Sequence, residues 1–136
     1  MIYLLDSSVV IALADAEHPH RSRCDQWFET ITRFALCPVS EGALVRFFVR
    51  TGRQTTYATA ILQLNSTLPG YEFWPDEMSY IHTDLDQVRG HKQVTDAYLV
   101  SLVRRHPGSQ LATLDEGLAA LYPAEVCLIP EATDPA

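Results

Sequence analysis

The 136 residues, 47% of them hydrophobic, are enough for one compact core and too few for a second domain of typical size. A net charge of -7 and a pI of about 5.0 exclude nucleic-acid binding through bulk positive charge, because domains of that kind are strongly basic. Any nucleic-acid role has to rest on a local basic patch, or on metal ions that reverse the sign of an acidic site.

In chain order, residues 2–5 form a short apolar run, followed by Asp6-Ser7-Ser8 and the helical pattern of 9–14. This reads as a buried strand, a polar turn carrying a helix cap, and a helix. His18-Pro19 opens a helix over about 18–33, with Cys24, Trp27, Phe28 and Ile31 at three- and four-residue steps. Residues 34–37 read as a second strand. Pro38-Val39-Ser40 then leads into a helix whose apolar face carries Leu44, Phe47 and Phe48, ended by Thr51-Gly52. A further helix is expected over about 54–64, stopped before Pro69-Gly70. The aromatic stretch 71–75 is a weak third strand, and the polar stretch 76–90 mixes a short helix with loop. Residues 94–105 form a helix with too many apolar positions for a narrow stripe, so it needs a broad buried face. After the Gly108-Ser109 turn come a strand over 110–114, a short helix over 116–121 and a strand over 125–129. The Pro- and acid-rich tail is expected to fray. Strands alternating with helices give an α/β domain with a mainly parallel central sheet and helices on both faces. The domain is expected to span residues 1–130, with 131–136 as the tail.

Cys24, Cys37 and Cys127 are widely spaced and show no zinc-ligand pattern, so they read as free thiols, in keeping with a reducing cytoplasm. The first residues carry no basic segment ahead of the apolar run, which Asp6 cuts short, and no run is long enough to span a bilayer. A cytoplasmic protein without membrane contact is expected.

In a sheet of this type, ligands sit beyond the carboxyl ends of the strands. Four acids fall there: Asp6 after the first strand, Glu41 in the helix after the second, Asp96 in the first turn of the long helix, and Asp115 after the fourth strand. Helix-start positions favour acids through capping and the macrodipole, so each alone has a structural explanation. Together they point to a cation: carboxylates about 5 Å apart repel by ~3 kcal/mol at an effective dielectric near 20. Magnesium and manganese prefer carboxylate and water oxygens, and activate water against phosphodiesters.

The segments Leu4-Leu5-Asp6-Ser7-Ser8-Val9, Cys37-Pro38-Val39-Ser40-Glu41, Val94-Thr95-Asp96-Ala97-Tyr98-Leu99 and Leu111-Ala112-Thr113-Leu114-Asp115 resemble the PIN-domain ribonucleases, most closely the VapC toxins. His18-Pro19-His20, Phe73-Trp74-Pro75-Asp76 and Gly90-His91-Lys92 resemble one VapC branch. The resemblance covers nearly the whole chain. It implies a PIN-like fold, cleavage of RNA, a magnesium or manganese site at Asp6, Glu41, Asp96 and Asp115, a cognate antitoxin and a homodimer. Ser8 and Thr113 match polar positions beside the acids, where a hydroxyl can orient a carboxylate. Gly42 departs from the family, where Asn is common.

Arg46 and Arg50 share a face of the helix that Glu41 begins and are the candidates for contact with RNA phosphates; a solvated or partner-binding face is the alternative. Glu116 reads as a solvated helix-start acid. The five histidines, with only His18 and His20 close, do not complete a zinc site. Trp27, Phe28, Phe47 and Phe48 read as core or interface aromatics. Two other functions stay open on residues alone. One is a metal-dependent phosphotransfer domain, for which Asp6-Ser7-Ser8 lacks a second aspartate and Lys92 is the only lysine. The other is a non-catalytic binding module that kept the acids as structure.

Overall fold

The computed structural model describes residues 1–133. Five strands, β1 (Ile2–Leu5), β2 (Phe34–Leu36), β3 (Tyr71–Phe73), β4 (Ser109–Thr113) and β5 (Val126–Leu128), form one sheet in the order β3-β2-β1-β4-β5. Every neighbouring pair is parallel. The helices are α1 (Ser7–Ala14), α2 (Arg21–Phe28), α3 (Pro38–Arg50), α4 (Thr55–Ser66), α5 (Val94–Arg104) and α6 (Glu116–Leu121), with single 3-10 turns at Tyr80–His82 and His91–Gln93.

Side-chain alternation along β1 divides the core. Ile2 and Leu4 face a cluster with Leu99, Val103 and Leu118 of α5 and α6, while Leu5 joins Val9, Cys24, Leu44 and Ala58 of α1 to α4. Both faces are covered, as a parallel sheet requires. From β1 the chain steps outward to β2 and β3, then crosses to β4 on the other side of β1. The strand order reverses between β1 and β4, and a crevice opens there at the carboxyl edge.

The broad buried face expected of the long helix is present: every residue from Ala97 to Val103 is buried. The segment after β3 covers the side of α5 turned from the sheet. Trp74 and Met78 pack into the α5 cluster, the Asp84 amide donates to Ser101 Oγ at 3.1 Å, and the Tyr98 hydroxyl donates to Asp76. No α-helix forms between 76 and 90, only the turn at Tyr80–His82.

The second helix is shorter than its periodicity suggests. His18 to His20 form a turn, closed where the His20 amide donates to His18 Nδ1 at 3.0 Å, so α2 starts at Arg21. It stops at Phe28 because the chain must return to pair β2; Thr30 seals the end with its amide and hydroxyl on the Trp27 carbonyl. The weak third strand is real, in register Phe34↔Tyr71 to Leu36↔Phe73. Gly70 makes that pairing possible, since it has φ 81° and a Cβ there would fall 1.9 Å from the Thr32 carbonyl oxygen. The tail runs back along α2, where Arg23, 8% exposed, donates to the Ile129 and Pro130 carbonyls and Gln26 accepts from the Thr133 amide at 3.0 Å. Residues 134–136 of the tail lie outside the described residues.

Candidate active site

Asp6 is the residue at which β1 becomes α1, and it is only 6% exposed. Its extended backbone caps α1, whose Val9 and Val10 amides donate to the Asp6 carbonyl. Four further donors hold its carboxylate: the Ser7 amide at 2.8 Å and Ser7 Oγ at 3.4 Å on Oδ1, and Ser8 Oγ at 3.1 Å and Thr113 Oγ1 at 2.7 Å on Oδ2. An ionised carboxylate only accepts, so the Ser8 and Thr113 hydroxyls both donate to it. The Leu114 amide donates to Ser8 Oγ at 3.2 Å and the Asp115 amide donates to Thr113 Oγ1 at 3.1 Å. An N–H can only donate, so each of these two hydroxyls accepts from an amide while giving its single hydrogen to Asp6. The ends of β1 and β4 are thereby locked together through one carboxylate. Each carboxylate oxygen accepts two hydrogen bonds, and the Ser7 hydroxyl on Oδ1 is the longest of the four.

Asp96, in the first turn of α5, and Asp115, the residue before α6, line one pocket of about 250 Å³ with Gln93, Leu118 and Tyr122. Burial, followed by the negative charges of Asp6 and Asp115, pushes the Asp96 carboxyl up to about 6. The three acids therefore share one electrostatic environment at the edge where β1 and β4 end. Asp115 also caps α6: its Oδ1 accepts from the Leu118 amide at 3.1 Å. That capping role, raised by the sequence as an alternative to metal binding, thus operates alongside membership of the acidic group.

Glu41 follows differently. Ser40, fully buried, donates to the Leu5 carbonyl at 2.9 Å and ties the start of α3 to the end of β1. This brings the backbone of Glu41 beside the turn that carries Asp6. The Glu41 side chain is half-buried and burial raises its pKa; its charge in turn raises that of Tyr71, after burial. Among the described residues, no group of three or more His, Cys, Asp or Glu side chains is close enough to hold a metal by itself. Asp96 and Asp115 thus line one pocket, the charge of Asp6 acts on Asp96, and Glu41 stands at the start of the helix that Ser40 ties to the end of β1.

Arg46 is exposed, and its guanidinium folds back toward the start of α3, 3.4 Å from where a Cβ on Gly42 would stand. The glycine leaves that space beside Glu41. Arg50 lies one turn further from the acids, its guanidinium 5.6 Å from the Phe47 ring. Two contributors escape the sequence reading: Ser40, and Gln93 in the pocket wall. The signal for Gln93 is its place one helical turn ahead of Asp96; for Ser40 there is none, because its partner is a backbone carbonyl 35 residues away. The cysteines are free, and burial pushes the Cys24 thiol up to about 11, which leaves it unreactive. Among the described residues no helix is long and apolar enough to cross a membrane.

The PIN domain model matches residues 3–122. Ribonuclease VapC29 of Mycobacterium tuberculosis is 46% identical over 134 residues, covering 98% of this chain and 100% of that protein. Ribonuclease VapC39 of the same organism is 37% identical over 131 residues, covering 88% and 92%. The crystal structure of Mycobacterium tuberculosis VapC20, described as a Sarcin-Ricin loop cleaving toxin, matches with a TM-score of 0.64 at 14% identity, covering 88% of this chain and 94% of that one. At that identity the likeness concerns the fold, and it agrees with the five-stranded parallel sheet. By its sequence over nearly its whole length, and by its fold, the chain belongs to the PIN-domain family and, within it, to the VapC ribonucleases.

Proposed function

We propose that this protein is a divalent-metal-dependent endoribonuclease, the toxin of a toxin–antitoxin pair, with Asp6, Asp96 and Asp115 as the metal-holding acids and Glu41 assisting them. The observation that carries the reading is the Asp96 carboxyl, pushed up to about 6 by burial and by two neighbouring acids. Burial is the larger cause and the repulsion of two neighbouring acids adds to it; a cation in the Asp96–Asp115 pocket offsets that repulsion.

The donor set fits magnesium or manganese. It is all oxygen, and magnesium keeps several waters while binding through one or two carboxylates, so an all-protein cage is not needed. Asp96 and Asp115, which line one pocket, supply that pair, and the charge of Asp6 acts on Asp96 from the end of β1. When bound, the ion acidifies a water and offsets charge on the phosphodiester. The chain's own residues do the positioning. Ser8 and Thr113 fix the Asp6 carboxylate, Ser40 anchors the helix that bears Glu41, and Asp96 must release a proton wherever it is still protonated as the site loads. Arg46, and Arg50 one turn beyond, contact phosphates of the RNA on the α3 side.

The VapC kinship supports a cognate antitoxin that blocks the site, a homodimer and a cytoplasmic location, and leaves the phosphotransfer and non-catalytic readings without support. Cleavage of a panel of cellular RNAs by wild type and Asp96→Asn, with and without magnesium or manganese, tests the proposal. Wild-type cleavage that requires the ion and falls by at least about tenfold in the variant is expected. Equal activity in both, or activity indifferent to the ion, overturns it.

A further inference from the structure

An RNA strand crossing an acidic crevice needs positive charge to hold it there, and this chain has few cations to offer. Of its ten lysine and arginine side chains, five are neutralised in ion pairs: Arg21 with Asp25, Arg23 with Glu131, Arg33 with Glu72, Arg53 with Asp15, and Arg104 with Asp84 and Glu125. Arg46, Arg50, Arg89, Lys92 and Arg105 form no ion pair among the described residues. Arg46 and Arg50 lie on α3, which packs on one face of the sheet. Arg89 and Lys92 lie in the turn that leads into α5 on the opposite face, and both are exposed.

That turn is fastened to the wall of the acidic pocket. The Arg89 amide donates to Gln93 Oε1 at 2.6 Å, and the Gln93 amide donates to the Gly90 carbonyl at 3.0 Å. Gln93 itself lines the pocket with Asp96 and Asp115. Arg89 Nη1 donates to the carbonyls of Asp86 and Val88, which fixes the guanidinium on the turn without cancelling its charge. Lys92 stands four residues ahead of Asp96 and engages no acid among the described residues. Unpaired cations thus flank the carboxyl edge from both faces of the sheet, in a chain whose net charge is -7.

We propose that Arg89 and Lys92 are positioning residues that grip phosphates of the RNA strand on the α5 side of the crevice, opposite Arg46. This rests on the endoribonuclease reading and adds to it the second side of the strand path. A single-stranded polyanion is favoured over an acidic protein segment because it must pass the Asp96–Asp115 pocket to be cut, and the turn borders that pocket. Arg105 is the internal control: it is an unpaired cation of equal charge, nine residues beyond Asp96 and so about 14 Å along α5.

The test measures anisotropy of a labelled single-stranded oligouridine in magnesium at several salt concentrations, in an Asp96→Asn background that spares the probe. Adding Arg89→Gln and Lys92→Gln should lower the log–log salt slope by about 1.4, ~0.7 for each phosphate no longer gripped, and weaken binding about tenfold or more at about 0.1 M salt. Lys92→Gln alone, which removes no hydrogen bond, should lower the slope by ~0.7. Arg105→Gln should leave it unchanged. An unchanged slope in the double variant, or an equal drop in Arg105→Gln, overturns the proposal. So does unchanged RNA binding combined with abolished binding of a protein inhibitor, which assigns the cations to that partner. Wild type that cleaves RNA while these variants bind normally refutes this inference alone. Wild type that cleaves no RNA refutes the parent reading, and this one with it.

Discussion

Replacing Asp96 by Asn should make the metal-free protein more stable at neutral pH. Burial and the charges of Asp6 and Asp115 move the Asp96 carboxyl from its ordinary 3.8 to about 6, so the folded state disfavours the ionised form. The folded protein holds this proton at pH values where the unfolded chain has already lost it. Stability from this group is therefore full below about pH 4, falls as pH rises through about 6, and is flat above. A shift of about two units corresponds to a ceiling of ~3 kcal/mol. Asp96 is only partly buried, and solvent screening reduces that to about 1–1.5 kcal/mol. Asn keeps the shape and carries no charge, so it escapes the penalty. Urea denaturation in chelator should show the variant ahead by that amount at pH 7, about 3–5 °C in Tm. The gap should narrow toward pH 4. Magnesium should then raise wild-type stability and leave the variant nearly unmoved, because only a ligand that binds the folded state stabilises it. A variant no more stable than wild type at pH 7, or a gap that does not change with pH, would refute the account of Asp96 as an acid raised by burial and by two neighbouring carboxylates.

Thr113→Val keeps the volume and removes a hydroxyl that both donates to Asp6 and accepts from the Asp115 amide. It should cost about 1–3 kcal/mol by urea denaturation and weaken metal binding about 10–100-fold by calorimetry. Gly70→Ala drives a Cβ into the Thr32 carbonyl in a left-handed backbone, and should cost about 2–4 kcal/mol by the same denaturation assay; a loss below about 0.5 kcal/mol would show that β3 pairing does not depend on that approach.

Much of this protein is readable in one dimension. The alternation of short apolar runs with amphipathic stretches is a local property, set by side-chain periods of two and of about 3.6, and it yields an α/β domain with a parallel sheet. The turns that carry Asp6 and Asp115 are local as well, since a polar residue ending an apolar run sits where a strand becomes a helix, and Asp96 is placed by the start of its own helix. The stop of α2 at Phe28 is not readable in this way, because the chain's return to β2 ends that helix before its own periodicity does.

Tertiary structure decided the rest. The order β3-β2-β1-β4-β5 puts the ends of β1 and β4 side by side, and only then can Thr113 reach Asp6 across 107 positions of sequence. The same order carries the turn with Arg89 and Lys92 to the lip of the crevice. Spacing reports which residues share an element; which elements share an edge depends on how the whole sheet covers its two faces, and that balance is global.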